Sequence, residues 1–227
     1  MKKIAREKVI LRINMAQTID GHTIDSNGLW SYGSSEDKRR MDKLREWSQC
    51  IIGSRRSIEN DNPNLYIRRK KDHPFHPYPV LIMHNINKKI KADRRVFFPP
   101  HPAGEIWVHS RENVTWKEVI ESGIQTDQIS SAWKVFNFQS IKEIYNSLSN
   151  RGFKNILLEG GPELNGLFMK DNLIDEIFLT IVPYLWAGKK TDRIITSNIY
   201  FDNRFKLLSC ERKKNELFLH YKRLQIK

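Results

Sequence analysis

Residues Ile156 to Phe168 read ILLEGGPELNGLF, and the rest of the chain takes its place around this stretch. An apolar run closes on Glu159, two glycines follow, and Pro162 opens a segment in which Leu164, Leu167 and Phe168 form one apolar stripe before Asp171-Asn172 ends it. Glycine permits a tight bend, with positive φ where the turn needs it, and proline at a first helical position wastes no amide. The pattern is a buried strand, a turn and a helix whose first amides stand free, where an anion gains from both N–H groups and the helix dipole. An ordinary strand-to-helix turn uses the same residues. The stretch is neither a dinucleotide GxGxxG nor a phosphate-binding GxxxxGK[ST] loop. Gly161 and Gly166 have the spacing of the latter, but Leu167-Phe168 stand where Lys and Ser/Thr would contact phosphate and magnesium.

Working outward, Ile141, Ile144, Tyr145 and Leu148 recur at helical spacing and predict a helix over Ile141 to Ser149, closed by Asn150-Arg151-Gly152. Downstream, Glu176 to Leu185, Phe205 to Cys210 and Leu217 to Leu224 read as strands, the last two as antiparallel neighbours. In the N-terminal half, Val9 to Met15 predicts a strand followed by the turn Asp20-Gly21. Ser34 or Ser35 caps a helix through Trp47, with Met41, Leu44 and Trp47 on its core face and Glu36, Asp37, Lys38 and Arg39 in water. Cys50 to Gly53 is a short strand, SRRSIEN a polar turn or short helix, Leu65 to Ile67 a strand after Pro63, and Lys70 to Pro79 a proline-punctuated loop. Val80 to Met83, Ile106 to Val108 and, more weakly, Val135 to Phe138 complete the strands. The sum is one α/β domain over residues 1–227, in three layers, with a central mixed but mostly parallel sheet, helices on both faces and antiparallel C-terminal strands.

Composition narrows the function. The 227 residues carry 39 Lys+Arg against 26 Asp+Glu, a formal charge of +13, with 39% hydrophobic and 11% aromatic residues, far too aromatic for a disordered chain. The longest mostly apolar stretch, Ile177 to Gly188, is interrupted by Thr180 and Pro183 and falls short of the ~20 residues of a membrane helix. Arg12 breaks the N-terminal apolar run, so no signal peptide is expected and the cytoplasm is the expected compartment. Cys50 and Cys210 form neither a disulfide framework nor a metal clamp, and His73 and His76, flanking Phe75 in an irregular loop, lack the geometry of a metal-binding helix. No metal is expected. The basic doublets Arg39-Arg40, Arg55-Arg56, Arg94-Arg95, Lys189-Lys190 and Lys213-Lys214 are spread along the chain, and the longest run is only Arg68 to Lys71. Such charge reads as a solvated surface or as sites for small anions, and a basic nucleic-acid-binding module is the non-enzymatic alternative. Neither a GxSxG elbow nor a zinc-deaminase HxE with a later PCxxC is present.

Two further clusters carry chemistry. NMAQTIDGHTIDSNGLWSYGSSED places a strand end, a turn, the Gly28-Leu29-Trp30 loop and a helix start together, a loop able to lie over a flat ring. IIGSRRSIENDNPNLYIR puts Ser54, Arg55, Arg56 and Ser57 directly after a strand, where hydroxyls and guanidinium forks suit a monophosphate.

In this order and spacing, MAQTIDG, SSEDKRRMDKLR, IIGSRRSIENDNPNL, ILLEGGPELNG and DEIFLTIVPYLWAG resemble the pyrimidine reductase of riboflavin biosynthesis, over essentially the whole chain. That family occurs alone or fused to a zinc deaminase and has the dihydrofolate-reductase-like fold. The resemblance implies NADPH-dependent reduction of the ribosyl group of 5-amino-6-(5-phosphoribosylamino)uracil to its ribityl form, by a homodimer. With no deaminase half in this sequence, a separate deaminase is expected in the pathway. A same-fold reductase of a dihydropterin or another small heterocycle is the enzymatic alternative.

Carried over by position, the resemblance gives Gly160, Gly161, Pro162, Glu163 and Leu164 the cofactor pyrophosphate, and Ala16 and Trp30 the nicotinamide side. Ser57, Asp61 and Asn85 would be further cofactor contacts. Arg55 is our addition for the adenosine 2′-phosphate, from similarity to dihydrofolate-reductase turns. Arg45 and Arg68 match the positions that hold the ribose 5-phosphate, and Leu65 and Glu159 lie beside the sugar. Glu159 is the choice to orient hydroxyls or relay a proton, with Asp61 as the second catalytic candidate. The chain departs from the family at Gly28, where a substrate-contacting serine is usual, at Asn62, a common second aspartate, and at His84, another common aspartate.

Overall fold

The computed structural model describes residues 8–25, 27–30, 33–68, 75–98, 103–121, 129, 131–187, 193–198, 200 and 202–224. Strands β1 (Ile10–Gln17), β2 (Cys50–Ser54), β3 (Tyr78–Met83), β4 (Gly104–His109), β5 (Trp133–Phe138), β6 (Asn155–Glu159), β7 (Glu176–Ile181), β8 (Phe205–Lys213) and β9 (Glu216–Arg223) form one sheet in the order β5-β4-β3-β2-β6-β1-β7-β9-β8. All pairs from β5 through β7 are parallel, and β7-β9-β8 are antiparallel. Runs such as Cys50-Ile51-Ile52 read as unbroken apolar stretches because both faces of the parallel region are covered.

The helices are α1 (Ser35–Trp47), α2 (Arg55–Asp61), α3 (Trp116–Val119), α4 (Ile141–Asn150) and α5 (Pro162–Lys170). They divide the core in two. Leu44 of α1, Ile58 of α2 and Val119 of α3 pack with Ile51, Leu81 and Leu157 on one face of the sheet. Ile144 and Leu148 of α4 and Leu164 and Phe168 of α5 pack with Ile52, Ile156 and Leu158 on the other. The chain leaves β2 through α2 toward β3, and leaves β6 through α5 toward β7, in opposite directions across the sheet. Neighbouring strands whose connections diverge in this way leave a crevice at their carboxyl ends, the usual ligand position in an open α/β sheet.

The predicted architecture is the observed one, with local corrections. Leu65 to Ile67 is not a strand: Leu65 has φ 48°, a left-handed conformation that breaks a ladder, and its side chain is buried against the space left at Gly53. Asp37 is not in water but 7% exposed, because the first turn of α1 packs onto β7 and β9. The strand expected to reach Leu185 ends at Ile181, ahead of Pro183. The 3-10 turn Arg95–Phe97 and α3 carry too few periodic residues to read from sequence. His73, Lys189, Lys190, residues 70–74 of the proline-rich loop and residues 69–71 of the basic run lie outside the described residues.

Candidate functional site

A cavity of about 580 Å³ opens where β2, β6 and β1 end. On one wall α5 begins at Gly161, an N-cap with no side-chain hydrogen bond, followed by Pro162 at the first helical position. Gly161 has φ −76°, and among the described residues the glycines with positive φ are Gly21, Gly28 and Gly152, so the paired glycines answer a need for space rather than for a left-handed bend. A Cβ on Gly160 would come within 2.8 Å of Leu164 Cδ2. A Cβ on Gly161 would point at two hydroxyls, 3.5 Å from Ser54 Oγ and 3.7 Å from Ser57 Oγ. Those hydroxyls are 2.9 Å apart, and the Ser57 amide donates to Ser54 Oγ at 3.1 Å, capping α2. The result is a bare-backbone cradle faced by two hydroxyls, at the positive end of a nine-residue helix.

The floor of the cavity carries charge. Arg45 is 1% exposed; its Nε donates to Glu159 Oε1 at 3.0 Å, its Nη2 to Glu159 Oε2 at 2.6 Å and its Nη1 to the Tyr66 carbonyl at 2.8 Å. A fork that serves a carboxylate on two atoms fixes both side chains in direction. Glu159, the last residue of β6, accepts hydrogen bonds from Arg45 alone among the described residues, leaving lone pairs toward the cavity. Arg68 lines the cavity half-buried with no ion-pair partner for its guanidinium among the described residues; only its backbone N–H is engaged, by Asp42. Burial, with Arg45 adding repulsion, pushes its pKa below the usual arginine value. At the rim, the Trp30 N–H donates to Asp61 Oδ1 over a long 3.4 Å, tying the Trp30 loop to the end of α2. Desolvation raises the Asp61 carboxyl above its ordinary pKa.

Of the residues assigned from sequence, Ala16, Gly28, Trp30, Ser57, Asp61 and Leu65 line this cavity, as do Arg45, Arg68, Glu159, Gly160, Gly161 and Pro162. Four do not. Leu164 is 2% exposed inside the core, held there by the tight packing at Gly160. Glu163 points outward, its side chain 77% exposed and 3.9 Å from Arg56 Nη1. Arg55 is turned off the cavity, and it is Arg56, one position further round α2, that lines it. Asn85 sits in the turn after β3, where its Oδ1 accepts from the Asn87 amide. Arg45, matched to a phosphate position, is largely engaged by Glu159 and Tyr66, whereas Arg68, the other matched arginine, has no ion-pair partner among the described residues.

The departures also have local explanations. Gly28 has φ 78°, which a serine would adopt only under strain. Asn62 ends α2 at φ 44° and accepts from the Arg95 amide at 2.8 Å, a structural task for its amide oxygen. His84 packs edge-on against Phe138 and beside His109, and burial, then that second imidazole, lowers its pKa.

Sequence reasoning missed Asn14 and Asp37, both of which line the cavity, and of the pair Arg55-Arg56 it chose Arg55 for the cofactor where Arg56 is the one that lines it. Asn14 was legible in principle, being one position beyond the β1–β6 pair Ile13↔Leu158 and therefore level with Glu159. The second half of EGGPELNG has an architectural role: Asn165 Nδ2 donates to the Ile194 carbonyl at 2.9 Å, and the Thr196 amide donates to the Pro162 carbonyl at 3.1 Å.

Comparison with known proteins agrees with this layout. The family model for the RibD C-terminal domain matches residues 9–219. The chain spans about half the length of the first bacterial relatives it matches, which are named riboflavin biosynthesis proteins. It is 22% identical over 183 residues, 81% of this chain and 82% of the relative, to the 2,5-diamino-6-ribosylamino-4(3H)-pyrimidinone 5′-phosphate reductase of Methanothermobacter thermautotrophicus. Among solved structures, a pyrimidine reductase-like protein from Corynebacterium diphtheriae superposes with a TM-score of 0.77 at 18% identity, covering 96% of this chain and 93% of that one. Dihydrofolate reductase from Enterococcus faecalis, solved with NADP(H), gives 0.51 at 10% identity over 96% and 99% of the two chains, and so shares the fold. With a parallel sheet, a cleft at its switch point and a family match over most of its length, the chain belongs to the RibD C-terminal domain family.

Proposed function

We propose that the protein is an NADPH-dependent reductase that converts the ribosyl group of 5-amino-6-(5-phosphoribosylamino)uracil to its ribityl form. The observation that carries the reading is a single cavity holding an uncapped helix N-terminus with a glycine cradle, the Arg45–Glu159 pair, and Arg68, which has no ion-pair partner among the described residues. The cradle fits a dinucleotide diphosphate: the volume a Cβ at Gly161 would fill is open, and it faces hydroxyls and amides, all of which suit phosphate oxygens. Gly160, Gly161, Pro162 and Ser57 would hold that bridge, Arg56 the adenosine phosphate, and Ala16 and Trp30 the ring. A nicotinamide bound there would supply the hydride for the sugar carbon that becomes electrophilic when the glycosylamine opens to an imine, whose nitrogen would take up a proton.

The protein's own groups supply position and charge. Arg68 takes the 5-phosphate, its guanidinium having no ion-pair partner among the described residues. Glu159, fixed by Arg45, orients sugar hydroxyls through its free lone pairs. Asp61, with its carboxyl pKa raised by desolvation, is the candidate proton store at the rim. Holding reacting carbons in contact in a closed cleft is the main catalytic requirement. Homodimeric assembly, a cytoplasmic location and a separate deaminase upstream belong to the same proposal. Among the described residues no helix is long and apolar enough to cross a membrane.

The test is loss of nicotinamide absorbance when the protein is mixed with NADPH and the deaminated phosphoribosylamino-pyrimidine. Turnover of that substrate and not of dihydrofolate is expected. Turnover of dihydrofolate alone supports the pterin alternative, and salt-sensitive nucleic-acid binding without NADPH affinity supports the basic module.

A further inference from the structure

Asp37 stands in the first turn of α1, 7% exposed, where Ser34 and not Asp37 supplies the side-chain cap. A carboxyl so far from water is costly to ionise, and burial, opposed by the Thr180 hydrogen bond, raises its pKa. Its two oxygens are treated differently. Oδ1 accepts from Thr180 Oγ1 at 2.7 Å, and Arg40 Nη1 approaches the same hydroxyl oxygen at 3.4 Å, so the Thr180 proton is directed at Asp37. Oδ2 makes no hydrogen bond or ion pair with any described residue. Arg40 spends its terminal nitrogens on the Leu179 and Leu219 carbonyls instead. Oδ2 borders open space: it lies 3.4 Å from the point where a Cβ on Gly33 would sit, and Gly33 and Asp37 both line the cavity.

Strand geometry sets this oxygen across the cavity from Glu159. Thr180 of β7 is level with Ala16 of β1, and β1 separates β7 from β6, the strand that ends in Glu159. With neighbouring strands about 4.8 Å apart, β7 runs about 10 Å from β6. The cavity therefore offers acceptors on both sides of Ala16. Arg68 and Glu159 account for the phosphate and the sugar of the proposed substrate, and the part left over is the heterocycle, which carries ring N–H and amino donors.

We infer that Asp37 determines specificity for the heterocycle: its Oδ2 accepts a hydrogen bond from a ring N–H or amino group of the substrate, across β1 from the sugar held at Glu159. Thr180 acts as the positioning residue, since by occupying Oδ1 it leaves Oδ2 to the ligand. This rests on the proposed reductase reading for the identity of the ring, but not for the placement of the acceptor. A purely structural aspartate would have both oxygens satisfied within the protein.

Binding of 5,6-diaminouracil and of ribose 5-phosphate, each measured calorimetrically on the full chain without NADPH, tests it. Because Thr180 offers a proton, Asp37→Asn turns its carbonyl oxygen to Thr180 and its amide N–H groups to the cavity, replacing an acceptor by a donor. The wild type is expected to bind 5,6-diaminouracil, and Asp37→Asn to bind it about ten-fold more weakly, with ribose 5-phosphate affinity unchanged and a melting temperature no lower than wild type. Equal losses for the two ligands, an unchanged affinity for 5,6-diaminouracil, or no binding of it by the wild type overturns the assignment. Binding that depends on Asp37 in a protein that oxidises no NADPH with the phosphoribosylamino-pyrimidine supports the ring site and sinks the reductase reading. Reductase turnover whose KM for that substrate is unmoved in Asp37→Asn sinks the Asp37 assignment and leaves the reductase reading standing.

Discussion

Glu105 and Glu159 are each gripped by an arginine, and they differ in what is left over. Glu105, at the start of β4 and 1% exposed, receives both terminal nitrogens of Arg151, the Trp107 indole N–H at 2.9 Å and the Tyr78 hydroxyl at 3.4 Å. Its acceptor capacity is used up by the protein. Glu159, at the end of β6, receives only Arg45 among the described residues and turns its remaining lone pairs to the cavity. The same residue pair is a clasp at one end of the sheet and an unfinished site at the other. Saturation of the acceptor, rather than burial or charge, separates them.

The largest expected effect sharpens this contrast. Glu159→Gln should lower kcat/KM by about 100-fold or more, in the range of a lost acid–base or orienting group, and should also cost stability because Arg45, 1% exposed, loses its charge partner. Glu105→Gln should cost about 2–3 kcal/mol in urea denaturation because Arg151 loses its charge partner, with kcat/KM of the folded enzyme unchanged. If both variants lose activity alike, the distinction fails. Next in size, Arg68→Ala should raise the KM for the phosphorylated substrate by about 10- to 100-fold, a charge-assisted hydrogen bond of roughly 1.5–3 kcal/mol, and leave the NADPH KM alone. Equal rises would put Arg68 on the cofactor.

The paired glycines make a smaller contrast of the same kind. Gly160→Ala meets Leu164 at 2.8 Å and should cost about 1–3 kcal/mol of stability by overpacking. Gly161→Ala makes only ordinary contacts at 3.5 Å, so stability should stay within about 0.5 kcal/mol while NADPH affinity, read by fluorescence titration, falls several-fold.

The smallest effect concerns Asp37, whose carboxyl accepts from Thr180 Oγ1 at 2.7 Å. Burial raises its pKa above 3.8, with Glu216 and Glu159 also pushing it up against Arg40. As pH rises the unfolded chain loses this proton first, so the native state holds more protons and stability falls across the window from about 3.8 up to the raised native value. Asp37→Asn should remove that slope and be neutral or up to about 1 kcal/mol stabilising at pH 7 in urea melts. A steeper loss of stability in the variant would mean that the charge is favourable where it sits.

The sheet was legible in sequence because covered parallel strands announce themselves as apolar runs, and the cleft because Glu159, Gly160 and Gly161 mark a strand end and a helix start together. What stayed hidden depended on partners distant in sequence. Asp37 looks like a wet first-turn acid until β7 supplies Thr180, and Arg45 looks like a free cation until Glu159, 114 residues later, engages it. Arg55 and Arg56 are indistinguishable in sequence, since only the rotation of α2 decides which meets the cavity. Leu65 has the composition of a strand and the backbone of a turn, and no local rule reveals that the room for its side chain comes from Gly53.

A Cβ at Gly166 would lie 2.1 Å from the Thr196 carbonyl oxygen, whose own amide is tied to Pro162. The far end of the signature thus serves as a dock for a returning segment. Selection in a screen blind to chemistry would keep that glycine while letting Gly161 drift, so the two glycines of one string answer to two separate pressures, one on architecture and one on ligand.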